Sequence, residues 1–135
     1  MSSAHTGGCL CGGVRYRVDG PLRDVIGCHC SQCRRTSGHF VAATRAALKD
    51  VHLLSDATLR WYESSAEAQR GFCSRCGGNL FWKPRPQEGQ MPMLSIMAGT
   101  LDTPTGLRFM QHIFVADKSD YYHIDDAVPQ LPHSN

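Results

Sequence analysis

The sequence predicts a mainly β fold built from short antiparallel strands, and three observations lead there. Its apolar and alternating runs are only a few residues long, too short to bury one face of a typical helix. Clusters of Gly, Pro, Asp and Ser separate those runs at close intervals. Two cysteine pairs, each followed by Gly-Gly, interrupt the runs where hairpin ends would fall.

Met1 to Gly8 is polar and reads as loose chain, with His5 a solvated residue. Val14-Arg15-Tyr16-Arg17-Val18 alternates apolar and basic residues, the pattern of a half-buried strand, and stops at Asp19-Gly20-Pro21. A second strand, Leu22 to Gly27, leads into Cys28-His29-Cys30-Ser31-Gln32-Cys33. Ser31 to Ser37 lacks alternation and is expected to form a short helical turn closed by Gly38, followed by a buried strand from His39 to Thr44. Val51 to Leu54 and Leu59 to Tyr62 flank the turn formers Ser55-Asp56, which predicts a meander.

Ala66 to Phe72 carries the chain to Cys73-Ser74-Arg75-Cys76, and Asn79-Leu80-Phe81-Trp82 leaves it as a strand. A loop marked by Pro84, Pro86, Gly89 and Pro92 precedes the core strand Met93 to Ala98. Gly99 to Pro104 is a turn in which Asp102 is expected to act as a cap, and Phe109 to Val115 is the last strand. Pro129 and Pro132 predict an ordered coil for the tail. Trp61, Phe81 and Trp82 are expected in the core. A chain of 135 residues, read as residues 1–135 with a core from about 7 to 132, fits one domain.

No apolar run approaches a membrane span, and no secretory signal pattern opens the chain, so it is expected in the cytoplasm without a membrane partner. That placement bears on the seven cysteines. In a reducing compartment thiols serve metals or catalysis more often than disulfides, and residues two apart rarely meet disulfide geometry. Cys30 and Cys33 form a C-x-x-C, but no thioredoxin-like βαβ pattern surrounds it.

Zinc is the reading that remains. Cys9 and Cys11 with Cys73 and Cys76 make two knuckles, whose trailing Gly12-Gly13 and Gly77-Gly78 let the backbone turn and aim amides at sulfur. Those four would close one structural site, leaving Cys28, Cys30 and Cys33 around a second zinc with an open position, the arrangement of a catalytic site. Spacing also allows a quartet of Cys9, Cys11, Cys28 and Cys30 with Cys33, Cys73 and Cys76 as the triad. His29 should point away from a metal held by its neighbours. His112, in an apolar strand, reads as a satisfied core histidine, with proton handling near the open site as the sharper alternative.

A net charge of +2 is too small to announce a nucleic-acid partner. Arg34-Arg35 directly follow the triad and are expected to form a cationic rim for a small anionic substrate.

On these residues the chain resembles the family of glutathione-dependent formaldehyde-activating enzymes, which also contains centromere protein V. The resemblance rests on Gly8-Cys9-Leu10-Cys11-Gly12-Gly13-Val14-Arg15-Tyr16, on Cys28 to Arg35 with Ser37-Gly38, and on Phe72-Cys73-Ser74-Arg75-Cys76-Gly77. Ala98 to Asp102 and His112 to Val115 extend it. It implies a β-tent type of fold with zinc, a structural zinc on the outer two pairs, and Cys28, Cys30 and Cys33 as ligands on the substrate side. It also implies a small acidic thiol, glutathione, joined to formaldehyde as S-hydroxymethylglutathione, a carbon-sulfur lyase reaction in the reverse sense. Lys118-Ser119-Asp120-Tyr121-Tyr122 departs from the family, which often has a tryptophan after a lysine there. A zinc-organised binding module without catalysis is the competing class, and an exchangeable fourth ligand at the triad separates the two.

Overall fold

The computed structural model describes residues 4–134. Among the described residues the strands are, in chain order, β1 (His5–Gly8), β2 (Arg15–Val18), β3 (Val25–Cys28), β4 (Val41–Ala47), β5 (Val51–Ser55), β6 (Leu59–Ser65), β7 (Ala68–Cys73), β8 (Asn79–Pro84), β9 (Met93–Met97) and β10 (Phe109–Ile113), with one α-helix, α1 (Ser31–Ser37), after β3 and single 3-10 turns at Leu48–Asp50, Ala98–Thr100 and Val115–Asp117. Two sheets result, one ordered β1-β2-β5 and one ordered β10-β3-β4-β9-β8-β7-β6. The mainly β expectation holds.

Alternation decides which face each strand buries. Val14, Tyr16 and Val18, at or beside β2, are fully buried and meet Leu80, Phe81, Leu94 and Ile96 of the larger sheet. The Tyr16 and Phe81 rings pack edge to face with centroids 5.5 Å apart, and the Tyr16 hydroxyl lies 2.7 Å from Thr100 Oγ1. Each large side chain so enclosed contributes about 1.5–3 kcal/mol. The main core therefore fills one face of the larger sheet, while a smaller buried cluster of Cys33, Val41, Ala43 and Met97 lies apart from it.

Several expectations are corrected. His5 to Gly8 is strand β1, not loose chain, and His5 Nε2 lies 2.9 Å from the Thr105 carbonyl oxygen. The expected meander of residues 51–54 with 59–62 does not form, because β5 pairs with β2 and β6 with β7. The cause is local: the Ser74 amide donates to the Thr58 carbonyl at 2.7 Å, pinning the start of β6 to the second knuckle. The strands are not all antiparallel either, since β10 runs parallel to β3. Asp102 does more than cap a turn; it accepts from Thr6 Oγ1 at 2.6 Å and from Arg15 Nη2 at 2.7 Å, tying β1 and β2 to the far loop.

The tail is the ordered coil its prolines predict. His112 donates its amide to Pro129, and Leu131 donates back to His112, both at 2.9 Å, so the coil covers the outer edge of β10. Among the described residues no helix is long and apolar enough to cross a membrane.

Candidate metal centre and its pocket

The two knuckles come from the N-terminal segment and from the middle of the chain. One follows β1 and the other follows β7, and they bring Cys9, Cys11, Cys73 and Cys76 together with all four sulfurs within 4.8 Å of one another. Gly12 and Gly77 have φ of 78° and 76°, a left-handed turn that a side chain would strain. The turn aims backbone amides at sulfur. Gly13 donates to Cys11 Sγ at 3.4 Å, Val14 to Cys9 Sγ at 3.3 Å, and both Arg75 and Cys76 to Cys73 Sγ at 3.4 Å. Arg75 adds its side chain, with Nε 3.2 Å from Cys11 Sγ.

The surroundings favour the thiolate at Cys73 and Cys11, while burial raises Cys9. Thr58 beside its sulfur pulls Cys73 down to about 5, and the Gly13 amide, followed by Arg75, lowers Cys11. Cys9–Cys11 and Cys11–Cys73 sulfur separations are 3.7 and 3.6 Å. A zinc tetrahedron with Zn–S bonds of about 2.3 Å has sulfur–sulfur edges of about 3.8 Å. The quartet could hold a metal ion of that size.

The second cluster is local. Cys28 ends β3, Cys30 is the N-cap of α1, and Cys33 lies one turn into the helix. Cys30 adopts extended geometry with φ −61° and ψ 159°, and its sulfur accepts the Cys33 amide at 3.3 Å. Gly38, with φ 86°, closes the helix by donating to Arg34. The three sulfurs also lie within 4.8 Å of one another. Hydrogen bonds with Cys28 and Cys33 push Cys30 far down, and those with Cys30 and Cys33 push Cys28 far up. Three sulfurs that share protons so strongly suit a cation in the protons' place. The fold therefore forms the four-plus-three grouping; the alternative local quartet is not assembled.

A cavity of about 710 Å³ opens beside the triad on the face away from the core. Sheet register explains its walls. Arg45 is opposite Ser95, Ser95 opposite Trp82, and Trp82 opposite Arg70, so the row β4-β9-β8-β7 presents these four side chains to one face. Arg23 joins them, its amide bonded to the Arg45 carbonyl at 3.0 Å. Trp82 is consequently pocket wall, while Phe81 is core as expected and Trp61 stacks on it at 5.9 Å.

Arg34 and Arg35 do not line this cavity, which corrects the expected cationic rim. They occupy α1, and the positive charge inside comes from Arg23, Arg45 and Arg70, with Glu67 at the wall as the acidic counterpart. Sequence reading missed these three because each is an ordinary-looking strand arginine until the register is known. A basic residue inside the Ala66 to Phe72 run was the one available signal.

His29 is buried and turned away from the sulfurs, as expected. Its Nε2 meets His112 Nδ1 at 2.8 Å, its Nδ1 meets the Tyr122 hydroxyl, and His112 Nε2 meets Asp126 Oδ2 at 2.7 Å. His112 is thus a satisfied interior histidine. Neither it nor Tyr122 reaches the cavity wall.

Comparison with known proteins agrees with the motifs. Residues 4–117 match the family described as glutathione-dependent formaldehyde-activating enzyme. A Halomonas elongata protein, provisionally named a glutathione-dependent formaldehyde-activating enzyme, is 30% identical over 128 residues, covering 88% of this chain and 80% of its own length. A crystal structure of a Rhodobacter sphaeroides protein superposes with a TM-score of 0.60 at 22% identity, covering 93% of this chain and 98% of that one. That likeness shows a shared fold.

Proposed function

Because the chain belongs to the glutathione-dependent formaldehyde-activating enzyme family, we propose that it joins a small acidic thiol to a small aldehyde, with glutathione and formaldehyde as the pair. This is a carbon-sulfur lyase reaction read in the direction of synthesis. The observation that carries the reading is the placement of Cys28, Cys30 and Cys33 at a cavity walled by Arg23, Arg45 and Arg70. Two zinc ions fit the cysteine sets, a structural one on Cys9, Cys11, Cys73 and Cys76 and a catalytic one on the triad. The cytoplasm, where free thiols persist, is the compartment that suits all seven cysteines.

The family resemblance supplies the aldehyde; the chain's own residues supply the rest. Cys28, Cys30 and Cys33 would hold a zinc ion, which when bound would supply the positive charge that favours the deprotonated form of a substrate thiol near neutral pH. Arg23 and Arg45 line the same cavity with no carboxylate within salt-bridge distance among the described residues. Burial, with Arg45 close by, lowers the Arg23 guanidinium, a repulsion that a bound carboxylate would relieve. Trp82, Met97 and Ile113 give the cavity apolar walls that limit water around the reacting carbon. The sulfur attacks the aldehyde carbon, the carbon-sulfur bond forms, the carbonyl π pair moves to oxygen, and that oxygen takes up the proton the thiol released.

Cobalt substitution tests the reading, since a sulfur joining the triad changes the visible ligand-to-metal spectrum. Glutathione should perturb it and S-methylglutathione should not. No response to either thiol would favour the zinc-organised binding module instead.

A further inference from the structure

Arg70 is a buried charge with an unusual set of neighbours. It is 5% exposed, its Nη2 lies 3.8 Å from Cys33 Sγ, and its Nε is buried without a hydrogen-bond partner among the described residues. No carboxylate stands within salt-bridge distance of it among those residues. Burying a guanidinium without a counter-charge is costly, so the anionic partner that retains it has to be found nearby. The triad sulfurs are the group in that place.

The same molecule shows the pairing twice. At the knuckle quartet Arg75 Nε lies 3.2 Å from Cys11 Sγ, an arginine set against a thiolate cluster. Four thiolates around a divalent ion carry two net negative charges, and three carry one. Adding a deprotonated substrate sulfur to the triad would bring it to the charge of the quartet. The quartet has its arginine at an exposed position, whereas the triad has a buried one, where weaker screening makes the charge count for more.

We infer that Arg70 is a positioning residue that neutralises the excess negative charge of the triad and thereby allows a deprotonated sulfur to join Cys28, Cys30 and Cys33. This rests on the metal-site reading above and deepens it: the sulfur end of the substrate is selected by Arg70, and its carboxylate end by Arg23 and Arg45. Arg70 reaches the triad from β7, so a distant strand of the larger sheet sets the affinity of a site built on β3 and α1.

The test uses 2-mercaptoethanol, a thiol with no carboxylate, titrated into the cobalt-substituted protein while cobalt content is measured. Arg70→Gln should weaken its binding at least about tenfold, as for loss of one hydrogen bond to a charged group, and Arg70→Lys should recover part of the affinity. Arg35→Gln should leave binding of this probe within about twofold of wild type, because that side chain does not line the cavity. Loss of triad cobalt in Arg70→Gln but not in Arg70→Lys would also support the inference, since charge alone distinguishes them. Wild-type affinity in Arg70→Gln, or equal losses in both variants, would overturn it while leaving the thiol site standing. Failure of the wild type to bind the thiol at all would overturn both.

Discussion

His29 Nε2 lies 2.8 Å from His112 Nδ1, and this contact joins Asp126, His112, His29 and Tyr122 into a chain of four side chains. Asp126, held low by its bond to His112, is ionised and accepts from His112 Nε2–H. His112 Nδ1 and His29 Nε2 share one hydrogen bond, and His29 Nδ1 pairs with the Tyr122 hydroxyl. Burial pushes His29 down to about 4, so its ring is neutral near neutral pH. The chain braces the Cys28–Cys30 backbone from behind, using the tail as its anchor.

Tyr122→Phe removes the hydroxyl that pairs with His29 Nδ1 and leaves that buried nitrogen without its partner. The expected cost is about 1–3 kcal/mol of stability, read by urea denaturation, with metal content unchanged. A variant as stable as wild type would show that the tail does not brace the triad loop.

The two cysteine sets should fail differently. Cys73→Ser or Cys76→Ser breaks a closed site that joins distant segments, and should abolish cooperative folding or solubility. Cys30→Ser should give a folded protein lacking one metal. Metal analysis beside far-UV circular dichroism checks both; a single zinc in wild type with every variant equally unfolded would contradict the division.

Glutathione binding should depend on the cavity arginines and not on those of the helix. Arg23→Gln with Arg45→Gln should weaken it about tenfold, more at low salt than at high salt. Arg34→Ala with Arg35→Ala should leave it within about twofold, because neither side chain lines the cavity. Calorimetric titration at two ionic strengths would reveal the reverse order if the helix arginines held the substrate.

Alkaline pH should destabilise the fold through Tyr16. Burial pushes its phenol up to about 12, against about 10 in an unfolded chain. Below pH 10 the group is protonated in both states. Between about 10 and 12 only the unfolded state loses the proton, so stability falls with rising pH across that window by about 2–3 kcal/mol. Tyr16→Phe should flatten this dependence while losing the bond to Thr100.

What the sequence shows directly are features set by nearby residues. Val14 to Val18 is legible because alternation fixes a strand's two faces, and the knuckles because C-x-C or C-x-x-C followed by Gly-Gly fixes a turn. The helix closing at Gly38 is local in the same sense. The partner of β5 is not legible, because strand pairing is a contest between distant segments, decided here by the hold of Ser74 on Thr58. The cavity arginines were hidden for the same reason. Arg34-Arg35 stand next to the triad in sequence, yet Arg70 stands next to it in space, brought there by the register of β7 against β8.

The central claim is that the triad works on a small thiol in company with an aldehyde. The most direct measurement is the rate of S-hydroxymethylglutathione formation from glutathione and formaldehyde, followed by exchange NMR with and without the protein. The account predicts acceleration above the uncatalysed background that is lost in Cys33→Ser, a variant that remains folded with the knuckle site intact. A rate equal to background, in a protein that carries both metals and binds glutathione, would contradict it.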